Sequence, residues 1–245
     1  MSRRDHLFLA FVLHRRDYSN TSLLLEVFAS GQGRFPAIAK GARRPRNPAS
    51  ALLQPFQPLW LGAIGRGEVR TLTRVEPAGR PLQLQGRHLL GGFYLNELMI
   101  RLLARHDPHD SLFLFYQAAL VRLGEQDDLE TVLREFELRL LDELGYALIL
   151  DQEAHSGAPV RPERLYRVEP DLGVCRAGVG ESGLILSGAT LLALARGGEL
   201  DPVQRREARL LLRAILDPHL GGRPLASREL YRRWYGTRPA ASSPS

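Results

Sequence analysis

The chain carries one cysteine, Cys175. That excludes an intrachain disulfide and fits a reducing compartment. Cys175 and His155 alone do not complete a four-ligand zinc site. Lysine is nearly as scarce: Lys40 is the only one, and every other basic residue is arginine. We attach no function to that bias, which is a signature of genome composition. No apolar run approaches the roughly 20 residues that a membrane-spanning helix needs. The start imitates an export signal, with Ser2-Arg3-Arg4 ahead of Leu7 to Leu13. However, the apolar run is at the short limit, His14-Arg15-Arg16 follows directly, and no small-x-small cleavage site is present. The expectation is a cytoplasmic protein.

Enzyme motifs are missing as well. The sequence has no GxxxxGK[ST] phosphate loop, no HExxH, no GxSxG and no GxGxxG leading into a helix. Gly91-Gly92, Gly197-Gly198 and Gly221-Gly222 lack the strand-to-helix context of a phosphate cradle, and read as packing or turn glycines. His106 and His109 with Asp107 and Asp110 imitate metal ligands, but Pro108 breaks the segment between them and makes it an interhelical loop. No catalytic residue, cofactor site or metal site is expected.

What the chain does have is segregated charge. Of its 245 residues, 44% are hydrophobic, and the formal charge is +6. Residues 1–82 hold 13 Arg and Lys against 5 Asp and Glu; residues 83–150 hold 6 against 11; the remainder holds 14 against 11. A basic N-terminal third followed by an acidic middle points to a polyanion bound at the front.

That front reads as β-structure. Leu7 to His14 is a short apolar run of buried-strand type, Asp17 to Asn20 a turn, and Thr21 to Phe28 a second strand. Ser30 to Gly33 closes a hairpin into Arg34 to Lys40. The loop Ala42 to Ser50 is too polar to be buried. Leu59 to Ile64 and Glu68 to Val75 form another hairpin, whose second strand carries Arg70 and Arg74 at period two. Five strands with meander turns and one long basic loop suit a small barrel of the oligonucleotide-binding (OB) type.

Periodicity disappears over Pro77 to Gln85 and returns as a helical repeat. Arg87 to Arg105 places Leu95, Leu98, Met99, Leu102 and Leu103 on one stripe, and Asp107-Pro108 ends it. Ser111 to Leu123 is apolar almost all round and therefore central. Asp127 or Asp128 caps a third helix, with Leu129, Val132, Leu133, Phe136, Leu140, Leu141 and Leu144 inward and Gly145 as its stop. Glu130 with Arg134, and Glu135 with Arg139, have i,i+4 spacing on outer faces. Asp151 to Gly183 is Gly-rich and irregular, with a hairpin pairing Arg164–Val168 with Gly173–Arg176. Ser187 caps one further helix, Asp201 with Pro202 and Gln204 opens another, and Ser227 caps Arg228 to Tyr235. The expected class is α+β: an OB domain over residues 1–80, a mainly helical domain over 81–236 with an irregular insertion at about 151–183, and a disordered tail over 237–245.

Two candidate surfaces emerge. The first comprises Lys40, Arg43, Arg44 and Arg46 around Gly41, joined by Arg66, Arg70 and Arg74; Phe35, Phe56 and Trp60 offer stacking platforms of the kind single-strand binding proteins use. The second is a leucine-rich pocket ringed by arginine, built from Leu98, Arg101, Leu102, Arg134, Phe136 and Arg139. It is suited to an acidic peptide ending in an apolar residue.

Read together, the blocks AFVLHRRDYSNTSLLLEVF, GRFPAIAKGARRPRN, LQPFQPL, GRGEVRTL, GFYLNELMIRLL, REFELRLLDELGY and LGGRPLASRELYRRW resemble the recombination mediator family RecO, bacterial DNA repair proteins. The match is to the branch without a four-cysteine zinc site. The resemblance implies an OB barrel joined to a helical domain with no catalytic turnover, associated with the nucleoid. It implies binding of single- and double-stranded DNA and annealing of complementary strands. It also implies cooperation with RecR in loading RecA onto DNA coated by single-stranded DNA-binding protein, and docking of that coating protein's C-terminal tail, with Arg134 or Arg139 as its carboxylate partner. The alternative is a non-catalytic protein adaptor with no DNA-annealing role of its own.

Overall fold

β1 (Phe8–Tyr18) is apolar on both faces through its first half because both faces are buried. Ala10 and Val12 point into a barrel, while Phe11 and Leu13 point out into the helical part of the molecule. A strand buried on both sides reads as a continuous apolar run rather than an alternation. The structure, a computed structural model, describes residues 6–65, 67–169, 172–178 and 182–235. Arg66 and the expected tail at 237–245 lie outside the described residues.

β1 pairs antiparallel with β2 (Ser22–Ala29), which pairs with β3 (Gly33–Ala39); β4 (Leu59–Ile64) pairs with β5 (Arg70–Pro77). β3 meets β5 in parallel and β1 meets β4, closing a barrel in the order β1-β2-β3-β5-β4. This is the five-stranded OB-type barrel, and the class is α+β. Its interior is narrow and filled by small and medium side chains, Ala10, Ala37, Val27, Leu25 and Leu61 among them, with Phe35 fully buried. β1 runs on through Tyr18, past the expected end at His14, and the turn falls on Ser19 with its φ of 52°.

β5 departs from the simple alternation. Its register against β4 shifts between Gly62 and Ala63, so Leu72 and Val75, three apart, both pack on the barrel core. An extra residue in one strand inverts the facing of everything beyond it. Arg70 and Arg74 therefore lie on opposite faces rather than sharing one.

After the short α1 (Ala49–Leu52), the helical part begins with α2 (Gly86–Leu102), α3 (Asp110–Gly124) and α4 (Leu129–Glu143). Their apolar stripes enclose one core that takes in Phe11, Leu13, Phe28 and Phe56 from the barrel. Gly91 and Gly92 are packing glycines, as read: a Cβ on Gly91 would strike Leu129, and one on Gly92 would strike Leu84 and Phe56. β6 (Leu165–Glu169), β7 (Gly173–Arg176) and β8 (Ile185–Ser187) form a sheet in the order β7-β6-β8. It covers α5 (Gly188–Arg196) and α6 (Pro202–His219) over a second core. β8 was not expected. The last described element is α7 (Ala226–Tyr235).

Caps fall at Asp128, whose carboxylate accepts from Thr131 N, at Ser187, and at Asp201, which forms a capping box with Gln204. Ser227 is not a cap. It lies inside α7, and its N–H and hydroxyl both donate to Glu97 of α2, whose other oxygen accepts from Ala226 N. The expected i,i+4 pairs on α4 do not form. Arg134 turns inward to Glu137 and Glu130 pairs with Arg209, while Glu135 pairs with Arg122 and Arg139 with Asp142.

Barrel and helices meet along a polar seam at the β2–β3 hairpin. The buried Arg34 donates to the Leu103 carbonyl and to Glu26. Gly31 N donates to Asp110 at 2.6 Å, and His106 N to the Arg34 carbonyl at 2.7 Å. Gly33, at φ 67°, is backed so closely by the Asp107 carbonyl that any Cβ would overlap it. The 98%-buried Asn96 adds a second tie, donating to the Leu13 carbonyl and accepting from Tyr116.

Candidate functional site

The basic loop is anchored rather than loose. Ala42 plugs into the barrel core, Arg43 N donates to the Thr21 carbonyl at 2.8 Å, and Asn47 Nδ2 donates to the Gly41 carbonyl at 2.9 Å. Gly41 and Arg46 take positive φ (68° and 65°), which folds the loop back on itself. The result presents Lys40, Arg44 and Arg46 to solvent, and among the described residues no carboxylate lies within 4.0 Å of any of them. Arg43 is partly occupied by Asp17 at 2.8 Å and by the Ser19 carbonyl.

This loop packs against the β1–β2 tip, so the exposed Arg16 and Tyr18 join its neighbourhood, and Arg15 fastens the tip to the carbonyls of Ser50 and Leu53. Tyr18 was not among the expected aromatics. It sits between two residues the Arg43 side chain touches, a contact that spacing within either segment does not reveal. Of the expected platforms, Phe35 and Phe56 are core residues, and Trp60 is exposed on β4. Arg70 is drawn away from the loop: its guanidinium lies 4.3 Å over the Phe35 ring, donates to Gln32 and meets His106. Burial pulls its pKa down. Arg74 is exposed but holds Glu76 at 2.7 Å.

The six residues of the expected peptide pocket are not brought together. Leu98 and Phe136 are fully buried core residues, and Leu102 is wedged between the two cores. Arg101 lies beside Glu97 and the Pro224 carbonyl, and Arg139 binds Ser111 and Asp142. Only Arg134 lines a cleft. That cleft, of about 470 Å³, opens between α2, α4, α6 and α7, with Leu90, Leu129, Leu133, Tyr231 and Tyr235 as apolar walls and Arg209, Arg213, Arg228 and Arg232 around them. Its walls are apolar and its rim is basic, and of the six residues proposed for the pocket it contains Arg134.

Behind this cleft lies a buried polar cluster. Glu137, fully buried, accepts from Tyr94 and from Arg134. Arg228 reaches Tyr94 at 3.1 Å and Asp217 at 2.6 Å. Burial pushes the Glu137 carboxyl up, although Arg134 and Tyr94 pull the other way. Burial, with the neighbouring Glu137 charge, likewise raises the Tyr94 phenol. Among the described residues, Arg134 Nε and Glu137 Oε2 are buried with no partner. Glu130, which also lines the cleft, has one oxygen buried without a partner and the other on Arg209 at 3.0 Å. No group of three or more His, Cys, Asp or Glu able to hold a metal occurs among the described residues. No described helix is long and apolar enough to cross a membrane.

Comparison with known proteins meets the same two halves. Residues 1–80 match the family model "Recombination protein O N terminal" and residues 83–229 match "Recombination protein O C terminal". The chain is 51% identical to the DNA repair protein RecO of Methylococcus capsulatus over 229 residues, 93% of this chain and 92% of that one. It is 47% identical to that of Nitrosospira multiformis (91% and 93% covered) and 47% identical to that of Halorhodospira halophila (91% and 95%). With a five-stranded OB barrel, a helical part fused to it through a shared core, and both family models matched along the chain, this protein belongs to the RecO family of DNA repair and recombination proteins.

Proposed function

We propose that the chain binds single- and double-stranded DNA through the barrel loop and anneals complementary strands. With RecR, it promotes RecA loading onto DNA coated by single-stranded DNA-binding protein, without catalytic turnover. The observation that carries this reading is the set of unpaired, exposed cations Lys40, Arg44 and Arg46 on an anchored loop beside Tyr18. Cations with no carboxylate to leave exchange only water and counterions for phosphate, so their contacts are gained almost whole. Annealing needs no reacting side chain: a cationic surface lowers the repulsion between two phosphate backbones.

The cleft between α2, α4, α6 and α7 supports docking of the coating protein's acidic, apolar-ended C-terminal tail. Its apolar walls suit the terminal side chain, and Arg134 in its wall with Arg213 and Arg232 at its rim suits the carboxylate. Arg139, outside the cleft, is dropped from that role.

The test is annealing of complementary oligonucleotides coated with the cognate single-stranded DNA-binding protein, full-length or lacking its tail. Fast annealing only with the tail supports both halves. Annealing of neither form refutes the strand-pairing reading and leaves the adaptor reading, in which Lys40, Arg44 and Arg46 changed to glutamate retain function.

A further inference from the structure

We infer a second polynucleotide-binding site, away from the barrel, along the arginine-lined cleft between α6 and α7. A cleft of about 220 Å³ at the end of α6 is bordered by Arg213, Arg223, Arg228 and Arg232. Asp217 is the single carboxylate in its lining, and it is already shared by Arg213 at 3.1 Å and Arg228 at 2.6 Å. Arg223 and Arg232 are exposed and hold no partner among the described residues. Four guanidinium groups facing one carboxylate leave an excess of positive charge that only an external anion balances.

The shape of the charge selects the anion. Arg213 on α6 borders the cleft with Arg228 and Arg232, which are i,i+4 on α7 and about 5–6 Å apart, and with Arg223 between the helices, while Arg209 is held by Glu130 at 3.0 Å. Cations spread over two helices and the turn between them make a track rather than a point, which suits an anion that repeats along a backbone better than one terminal carboxylate. The cations were invisible as a group in the sequence because α6 and α7 border one cleft, joined by the Arg228–Asp217 ion pair, only in the fold.

The experiment uses the full chain and a fluorescent dT30 oligonucleotide. Lys40, Arg44 and Arg46 are first changed to glutamate together, and binding is measured against salt. We expect that variant to retain salt-dependent binding, which Arg223→Glu with Arg232→Glu, added to it, abolishes. In the otherwise wild-type chain, Arg223→Glu with Arg232→Glu lowers the log–log salt slope by about 1.4, at about 0.7 per neutralised phosphate. Both residues are exposed, and unchanged thermal unfolding verifies that folding is intact. Loss of all binding in the barrel variant, or residual binding indifferent to Arg223 and Arg232, overturns the inference. So does a pair of charge reversals that weakens only an acidic-peptide ligand. If instead the barrel variant binds like the wild type and the α6–α7 reversals abolish binding, the barrel assignment fails while this site stands.

Discussion

Replacing Glu97 by alanine should detach α7 locally while leaving the barrel intact. Both carboxylate oxygens of Glu97 serve the first turn of α7: Oε1 accepts from Ala226 N at 2.9 Å, and Oε2 accepts from Ser227 N at 2.9 Å and from Ser227 Oγ at 2.7 Å. The apolar anchoring of α7 is thin, for Ser227 is its only buried residue and Tyr231 only partly packs on the core. Beyond that cap, the polar tie of α7 to the rest of the molecule is Arg228, which reaches Asp217 and Tyr94, so the cap carries a large share of its local stability. Cap removal costs about 0.5–2 kcal/mol and a hydrogen bond to a charged group contributes about 1.5–3 kcal/mol. Water at this half-open site replaces part of what is lost, so we take about 2 kcal/mol for Glu97→Ala. At 1.36 kcal/mol per decade, α7 should open about thirtyfold more often. Native-state hydrogen exchange read by mass spectrometry resolves this directly: α7 amides exchange about thirtyfold faster while peptides of β1 to β5 keep their protection. Glu97→Gln should fall between, since an amide oxygen accepts but the second oxygen is gone. The reasoning is refuted if α7 exchange is unchanged, or if barrel and α7 lose protection equally. Because Arg228, Tyr231, Arg232 and Tyr235 form one wall of the 470 Å³ cleft, the same variant should also bind an acidic, apolar-ended peptide more weakly.

Asn96→Ala leaves the buried Leu13 carbonyl and Tyr116 hydroxyl without a partner, at about 1–3 kcal/mol for each. A urea midpoint lowered by the equivalent of about 3 kcal/mol is expected, and a shift below about 0.5 kcal/mol refutes the tie. Gly33→Ala must move Asp107 or the hairpin and adopt a positive φ, so it should lower the thermal midpoint by more than an exposed Gly→Ala control at Gly67. The pH profile divides by sign. Burial opposes ionisation of Asp128, but hydrogen bonds from Thr131 and the Arg205 charge outweigh it and hold its carboxyl below the usual range. Its contribution is present above the unfolded value of about 4 and is lost as pH falls through the lowered folded value, so Asp128→Asn should flatten the acid limb of the stability curve. Glu137 runs the other way: its raised folded pKa makes its contribution greatest in acid, and that contribution is lost as pH rises through the folded value.

Much of the architecture is legible because local signals carry it. Alternation and turn residues define β2 to β4, the Asp201-Pro202-Val203-Gln204 spacing predicts its capping box, and the α4 stripe predicts its buried face. What is not legible depends on contacts distant in sequence. Phe35 looks like an available ring until the barrel closes over it; β5 looks regular until the shift at Gly62 reverses Arg74. β8 has three residues in a Gly-rich stretch and exists because β6 offers it an edge. The candidate cleft is the clearest case. Arg134 and Arg228 reach the same buried cluster from points far apart in the chain, and a helical repeat on either segment alone predicts only a solvated ion pair.

The seam at the β2–β3 hairpin has a consequence for scale. With Arg34, Asn96 and the aromatic residues Phe11 and Phe28 joining the halves, no slack tether separates barrel from helices. A flexible linker spreads the second of two binding events over a range of distances, whereas a stiff body confines it to one. The chain is thus a caliper with fixed jaws. Affinity for oligonucleotides of increasing length should rise in a step, at the length that first reaches from the barrel loop to the α6–α7 cleft, rather than along a gradual curve.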